Sequence, residues 1–332
     1  MCRKNRDSWQ RLPCPFQSGM TPKPMLPILL KTLPFFAVIG LGFWAGRVRF
    51  FTPEATAYLT KFVFYFPLSA MVFGFAANLS LDEVFSWPFV WAYLSASTLI
   101  WGIVAGVALV RGTGAQEAVM EAHCGVIGNV GFLGIPMLTL LIGPRAVGPV
   151  LLVLSVDLIV FTSLLTMLIA GLREGRMSLG IFRVLGLGLI SNPMIVSIVL
   201  GLGWGASGFK LPVPVNDFMI LLGAAATPCA LFAIGASLAG RNAERAEAAV
   251  WLSFAKLVLH PGAVAVMALY VFAVDPYAAG VMIAAAALPV AGNVYILAQH
   301  YAIAPQRVST AILISTVVSV LTVTGVIALV TP

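Results

Sequence analysis

GNVGFLGIP, residues 128–136, lies inside a long apolar stretch, yet it contains three glycines, an asparagine and a proline. These residue types are unfavourable in the interior of an α-helix. The letters GNV return at residues 292–294, within ALPVAGNVYILAQHY, where the surroundings are again apolar. The same interruption of two buried segments indicates a purpose that the two segments share.

The composition identifies the solvent in which this chain folds. Of its 332 residues, 60% are hydrophobic and only 9% are charged, whereas a soluble domain has about 25% charged residues. A soluble fold of this length has too much surface to hide so many apolar side chains. The apolar stretches are long and continuous rather than alternating, so helices fit better than a β-barrel. The sequence predicts an all-α integral membrane protein.

A membrane-spanning helix needs about 20 apolar residues. Ten stretches qualify, and we number them as spans one to ten: residues 26–46, 56–78, 87–110, 116–142, 146–171, 182–204, 215–239, 249–273, 277–302 and 308–330. Ser191, Asn192 and Pro193 interrupt span six, so Asn192 is an alternative start for it. Residues 1–24 are polar and basic, lack the apolar stretch of a signal peptide, and are predicted to be a disordered tail unless translation starts at Met20 or Met25.

Arginine and lysine residues are distributed unevenly between the loops. Loops after odd-numbered spans carry nine, and loops after even-numbered spans carry two, Arg145 and Lys210. The positive-inside rule therefore predicts that both termini lie outside the cytoplasm, although the basic tail opposes this if it is translated. The compact loops fit a bacterial inner membrane. Because the basic residues lie at span ends, the net charge of +7 gives no reason to expect nucleic acid as a partner.

The chain repeats itself at an offset of 160 to 164 residues. The matching elements are GLGFWAG from Gly40 and GLGWGASG from Gly201, PLSAMVFG from Pro67 and PCALFAIG from Pro228, Val90-Trp91 and Val250-Trp251, Gly128-Asn129 and Gly292-Asn293, and Ser155 and Thr162 with Ser315 and Thr322. Five matches in one order predict two five-helix repeats, residues 25–172 and 192–332, joined by a cytoplasmic connector at 173–191. Five is odd, so the repeats cross the membrane in opposite senses, as in secondary transporters.

The two GNV interruptions fall in span four and span nine, equivalent positions of the two repeats. Broken backbone within a membrane is tolerated only where protein or a water-filled cavity surrounds it, and paired breaks in inverted halves indicate a midplane binding site. Proline suits a first helical position, asparagine can cap a helix or offer its amide to a ligand, and helix N-termini suit anions. The alternative is a pair of proline kinks with packing glycines. The predicted substrate-binding residues are Gly128, Asn129, Gly131, Gly134, Pro136, Pro289, Gly292 and Asn293.

These motifs resemble those of the auxin efflux carrier family. Asn129 to Pro136 resembles its fourth-span signature N-x-x-x-x-G-I-P, and Ala287-Leu-Pro289 with Ala298-x-x-Tyr301 resembles its ninth-span motif. The resemblance covers about residues 25–330. It implies ten helices in two inverted repeats, with broken helices four and nine crossing at the substrate site, where Asn129, Pro136 and Pro289 are crossover residues. It also implies transport of organic anions, such as auxin in plants and small carboxylates in bacteria.

The chain departs from the plant members of that family in two ways. Their ninth-span motif has a second proline close behind the first, where this chain has Gly292-Asn293-Val294. Their long cytoplasmic loop is absent, since about 20 residues join the two halves. These departures leave auxin itself open as the substrate.

Ionisable residues inside spans are costly and are functional candidates by default. Asp157 lies near the middle of span five, Lys256 and His260 lie one helical turn apart in span eight, and Glu121 and His123 precede the break in span four. We expect Asp157, Lys256 and His260 to take part in coupling or charge relay, and a histidine titrates near neutral pH. Alternatively, Lys256 extends to the membrane surface and His260 bonds a backbone carbonyl.

The leading functional hypothesis is a secondary transporter that moves a small organic anion by alternating access. The sequence has no phosphate-binding G-x-x-x-x-G-K-[ST] loop, so ATP does not drive it directly. Four cysteines and three histidines show no metal-ligand spacing, so no metal or other cofactor is expected, and coupling to H⁺, coupling to Na⁺ and uniport all stay open. The alternatives are a channel and an intramembrane enzyme. Analogy alone suggests a homodimer.

Overall fold

The computed structural model describes residues 25–79, 85–174, 180–239 and 246–330. The predicted tail at 1–24 and part of the connector lie outside these ranges. The regular secondary structure within these ranges is helical. Seven of the helices are long and apolar enough to cross a membrane: Leu26–Arg47, Pro53–Ala77, Trp87–Val110, Pro144–Arg173, Val213–Ala239, Glu247–Val271 and Pro305–Val330. The all-α membrane fold is therefore confirmed.

Several of these long helices contain a π-helical turn or a local bend, which divides them into shorter α-helices. In chain order the α-helices of the described ranges are α1 (Met25–Arg47), α2 (Pro53–Tyr65), α3 (Pro67–Ala77), α4 (Trp87–Val110), α5 (Ala115–Val126), α6 (Ile135–Ile142), α7 (Val147–Val156), α8 (Thr162–Glu174), α9 (Gly180–Ser191), α10 (Pro193–Ala206), α11 (Val213–Ala224), α12 (Ala226–Ala239), α13 (Ala246–Phe254), α14 (His260–Val266), α15 (Pro276–Ala286), α16 (Gly292–His300) and α17 (Pro305–Val330). The π-helical turns are Val130–Gly134, Asp157–Phe161, Ala255–Leu259 and Met267–Val271.

Predicted spans four, six and nine contain shorter apolar helices, Val130–Ile142, Pro193–Ala206 and Pro276–Ala286. Spans four and nine are shortened by their breaks. Span six is shortened at the alternative start: Asn192 caps α10, because its side-chain oxygen accepts from the backbone N–H of Met194 at 3.0 Å, and the preceding residues form the separate helix α9.

The two breaks have different shapes. In span four, α5 ends at Val126, an extended segment follows at 127–129, and a π-helical turn over Val130–Gly134 leads into α6. Pro136 lies in the first turn of α6. It does not open the second half of the span, however, because the π-helical turn begins five residues before α6. In span nine, α15 ends at Ala286 and α16 begins at Gly292.

The first of two helix bundles is built from spans one, two, six and seven. Helix α1 packs against α12, and α3 packs against α10 and α11. A Cβ on Gly42 would overlap the Phe232 carbonyl oxygen, and one on Gly235 would overlap the Ile39 carbonyl oxygen. Apolar helices in lipid associate closely where glycines allow their backbones to come into contact. The glycines at these two positions therefore allow the close packing of α1 on α12.

The second bundle contains the helices of the remaining spans. Helix α4 packs on α5 and α14, and α17 packs on α13, α15 and α16. A partly buried ion-pair cluster joins α5 to the C-terminal end of α4 and the first turn of α17: Glu121 of α5 pairs with both Arg111 and Arg307, and Arg307 also lies 3.0 Å from Glu117. The cluster fixes α5, the first half of the broken span four, against α4 and α17.

Candidate functional site

The two broken segments cross each other in the second bundle. Gly128 and Val290 form an antiparallel β-bridge. The backbone N–H of Asn129 donates to the Pro289 carbonyl at 2.8 Å, and that of Ala291 donates to the Ile127 carbonyl at 3.1 Å. Each break thereby satisfies backbone groups that the other leaves free, as buried backbone requires.

Ser315 of α17 supports the crossing from a third element. Its hydroxyl oxygen accepts from the backbone N–H of Val290 at 3.1 Å. Residues 289, 290 and 291 are therefore all anchored by hydrogen bonds from outside their own segment.

A small cavity of about 30 Å³ lies beside the crossing. That volume holds an ordered water molecule or a small ion, and it is too small for a dicarboxylate in this conformation. The first bundle contributes two side chains to its wall, Phe64 of α2 and Met194 of α10. The other lining residues belong to the second bundle: Ile127, Gly128, Asn129, Gly131, Phe132, Leu154, Asp157, Leu158, Ala291 and Asn293.

Two helix N-termini converge on this cavity. Gly131 and Phe132 lie in the first turn of the helix Val130–Ile142, and Asn293 lies in the first turn of α16. The first backbone N–H groups of a helix have no partner within it and carry partial positive charge. The part of the cavity wall that these two N-termini form therefore suits an anionic group.

The asparagine side chains do not cap these helices. Asn129 occupies the N-cap position but makes no capping bond, and the N-cap of α16 is Ala291. The Oδ1 atom of Asn293 is buried and has no hydrogen-bond partner among the described residues. Of the two predicted uses of these amides, contact with a ligand is the one that the geometry leaves open.

Asp157 faces the same cavity from the π-helical turn in span five. Such turns are frequent at functional sites. The Tyr93 hydroxyl donates to Oδ1 of Asp157 at 2.8 Å, while Oδ2 is buried and has no partner within the described part of the chain. Only 2% of Asp157 is exposed, so one oxygen of this carboxylate is left without compensation in the protein interior.

Lys256 lies beside the crossing, close to Gly128, and does not extend to the membrane surface. It is fully buried, and its ammonium donates to the Ala286 carbonyl at the C-terminal end of α15. The same ammonium lies 3.3 Å from Nδ1 of His260, and Nε2 of His260 lies 2.9 Å from the Ser97 hydroxyl. The predicted pair on one helix face is confirmed as a contact.

Three of the predicted glycines lie against the flexible ends of neighbouring side chains, which would have to shift to make room for a Cβ. A Cβ on Gly128 would lie 3.2 Å from Nζ of Lys256, one on Gly131 would lie 2.8 Å from the Met194 side chain, and one on Gly134 would lie 2.6 Å from the Leu288 side chain. A Cβ on Gly292 would meet nothing within 4 Å. Gly292 is thus placed at the helix start without being required there by packing.

The structure does not bring every predicted residue to the cavity. Pro136 is one turn beyond it in α6, and Pro289 contributes through its carbonyl oxygen rather than by lining the wall. Glu121 belongs to the ion-pair cluster. His123 is fully buried, and neither ring nitrogen has a partner within the described residues.

Sequence reasoning missed several residues that contact the site, among them Phe64, Tyr93, Ser97, Met194 and Ser315. Tyr93, Ser97 and Ser315 lie in stretches with no break and no charge near them, whereas Phe64 follows Lys61 by three residues and Met194 directly follows the interruption in span six. Ser315 had a weak signal, since it is one of the residues that match between the repeats. The other four are recognisable only from the packing.

Comparisons with known proteins identify the family of this chain. A family model described as "Membrane transport protein" matches residues 27–327. The chain is 30% identical over 313 residues to a protein of Rhizobium meliloti (strain 1021) named "Putative malonate transporter", and the alignment covers 92% of this chain and 97% of that protein. The resemblance to the auxin efflux carriers is thereby confirmed. With its seven membrane-length helices, the chain is a multi-pass integral membrane protein that belongs to the membrane transport protein family of the auxin efflux carriers.

Proposed function

We propose that this protein is a secondary transporter for a small organic anion, a dicarboxylate of the malonate class, and that the substrate binds where the two broken segments cross. The observation that carries the proposal is the reciprocal pairing of residues 127–129 with 289–291, beside a cavity that two helix N-termini share. A crossing of this kind offers backbone N–H groups to a carboxylate, so each negative charge of the substrate does not need its own buried cationic side chain.

The packing supports two inverted repeats of five helices. In a two-fold repeat, span six is the counterpart of span one, and span seven is the counterpart of span two. Exchanging the two repeats turns a contact between spans one and seven into a contact between spans six and two, so both contacts should be present. Helix α1 does pack on α12, and α10 does pack on α3. The crossing of spans four and nine is its own counterpart in the same scheme.

The charges near the crossing and the name of the relative support the proposed substrate class. The N-termini of Val130–Ile142 and α16 and the buried ammonium of Lys256 favour a negative group. The amides of Asn129 and Asn293 add hydrogen-bonding capacity in the cavity wall. The Rhizobium meliloti protein is named for malonate, a compact dianion with two carboxylates for two helix N-termini.

Transport requires the cavity to open, since its present volume excludes a dicarboxylate. Phe64 and Met194 close it from the first bundle, while all other lining residues belong to the second. We propose that the second bundle moves against the first and exposes the crossing to each side of the membrane in turn. In this scheme the membrane is a bacterial inner membrane, and both chain termini lie on its non-cytoplasmic side.

The proposal is tested by binding of a carboxylate panel to the purified protein, measured as a thermal shift with malonate, malate, lactate and indole-3-acetate. A ligand that binds the native state raises the melting temperature by mass action. We expect malonate to raise it in the wild type and the rise to be lost in Asn129→Ala and Asn293→Ala. Asn216→Ala, on α11 of the first bundle, is the matched control and should keep the full shift.

An equal malonate shift in all four proteins would show that the crossing is a packing feature and not the site. A transporter is distinguished from a channel and from an enzyme by uptake into proteoliposomes. A transporter gives saturable accumulation of unmodified substrate that depends on an imposed gradient. A channel gives equilibration without saturation, and an enzyme gives a chemically altered product.

A further inference from the structure

Two buried oxygen atoms in the wall of the small cavity have no hydrogen-bond donor. They are Oδ2 of Asp157 and Oδ1 of Asn293, which come from different spans and line the same 30 Å³ space. A buried acceptor without a donor is expensive, and a buried carboxylate without a partner is more so. Two such atoms beside one cavity indicate that something positively charged or proton-donating occupies it.

No side chain of the described residues supplies that positive charge. Asp157 has no ion pair within 4 Å among them. Lys256 acts on Asp157 through space, but its ammonium is committed to the Ala286 carbonyl and to His260. Tyr93 already donates its hydroxyl to the other oxygen of Asp157.

The rest of the cavity wall is compatible with a cation on the Asp157 side. Ile127 and Gly128, which follow the C-terminal end of α5, line it, and the C-terminal end of a helix carries partial negative charge. Carboxylate, amide and backbone carbonyl oxygens are the ligands that hard cations prefer. Broken helices in transporters use such carbonyl groups for Na⁺ or H⁺.

We propose that this cavity binds one monovalent cation between Oδ2 of Asp157 and Oδ1 of Asn293, either a sodium ion or a proton carried on Asp157. Its coupling role rests on the proposed transport function. The cation neutralises Asp157, and a substrate carboxylate can then approach the neighbouring helix N-termini without meeting a bare negative charge. Substrate and cation therefore stabilise each other's binding.

Other titratable groups lie near Asp157, and their contribution to a pH effect has to be distinguished from that of Asp157. Tyr93 of α4 donates to it, Lys256 of span eight acts on it through space, and His260 lies against Tyr93 and Lys256. Helix α3 carries no titratable side chain, and Tyr277 of α15 lies against Arg145 instead. A pH effect is assigned to Asp157 only where Asp157→Asn removes it.

The test is the melting temperature of the purified, substrate-free protein. In one arm sodium replaces choline at constant ionic strength and at alkaline pH, and in the other the pH is lowered without sodium. We expect a rise in melting temperature in one arm, its loss in Asp157→Asn, and its retention in Asp217→Asn, an exposed carboxylate on α11. A rise with sodium assigns Na⁺, and a rise only on acidification assigns H⁺.

Two further variants guard against a loss caused by misfolding. Tyr93→Phe removes the bond to Oδ1 of Asp157 and leaves Oδ2 in place, so it should keep the cation response. Asn293→Val removes the second oxygen at similar volume and should weaken the response at least tenfold in apparent cation affinity. An identical response in the wild type, Asp157→Asn and Asn293→Val, or no response of the wild type in either arm, would overturn the cation site.

Binding of radiolabelled malonate is measured on the same preparations. Malonate binding without any cation response overturns the cation site and leaves the proposed function standing. A cation response lost in Asp157→Asn, with no carboxylate bound under any condition, supports the cation site and overturns the proposed substrate class.

Discussion

The backbone N–H of Asn129 donates a hydrogen bond to the carbonyl of Pro289, 2.8 Å away, although the two residues belong to opposite halves of the chain. Both lie where an apolar helix has been interrupted, and each interruption removes the helical partners of several backbone groups. Because lipid offers no replacement, the two interruptions have to meet. The site is thus a consequence of the same backbone requirement that holds the crossing together.

Gly42→Ala should destabilise the first bundle, whereas Gly40→Ala should not. A Cβ at position 42 overlaps the Phe232 carbonyl, and one at position 40 meets nothing within 4 Å. Overpacking of this kind costs about 1–3 kcal/mol. Thermal unfolding of both variants in the same detergent checks the difference, and equal melting temperatures would contradict the tight packing of α1 on α12.

Glu121→Gln should be strongly destabilising, because it leaves Arg307 buried without its closest counter-charge. Both side chains are at least 95% buried, with exposures of 1% and 5%. Breaking a buried ion pair costs about 3–5 kcal/mol. Chemical unfolding followed by tryptophan fluorescence measures the loss.

Glu117→Gln is the matched control for Glu121→Gln, since it faces the same arginine from a side chain that is 39% exposed. A pair this exposed contributes about 0–1 kcal/mol. If the two variants lose the same stability, burial does not govern the strength of this cluster.

Lys256→Met should weaken malonate binding about tenfold, because it removes a buried positive charge near the crossing that favours an anion through space, without a direct bond to it. Isothermal titration calorimetry with malonate measures the affinity. Lys210→Met, in an exposed loop, should bind like the wild type. Unchanged affinity in Lys256→Met, with a lower melting temperature, would mean that Lys256 acts only on the end of α15.

The predicted orientation is checked by single cysteines on a background without the four native ones. Lys210→Cys lies in a loop predicted outside, and Arg49→Cys lies in one predicted inside. In intact spheroplasts an impermeant maleimide should label Lys210→Cys and leave Arg49→Cys unlabelled. The reverse pattern would show that the arginine-rich loops face outward.

The paired breaks were predictable because Gly, Asn and Pro are poor residues for a helix interior, and these residue types occur together in both span four and span nine. Asp157, Lys256 and His260 were predictable because charge inside a span is rare. Their partners were not. Tyr93 and Ser97 look like ordinary residues of an apolar helix, and only the packing of α4 on α14 brings them to the charged groups.

The sequence predicts Pro136 at a helix start, and it does lie in the first turn of α6. Proline favours a first helical position, but the π-helical turn at Val130–Gly134 had already started the helix. A π-helical turn depends on what packs against it, and sequence periodicity does not reveal it. The same holds for the turn that carries Asp157.

Counterflow of radiolabelled malonate into proteoliposomes tests the central claim most directly. Vesicles preloaded with unlabelled malonate should accumulate label transiently and saturably when they contain the wild type or Asn216→Ala, and not when they contain Asn129→Ala or Asn293→Ala. Undiminished counterflow in both crossing variants, with the proteins equally well folded and inserted, would contradict a substrate site at the crossing.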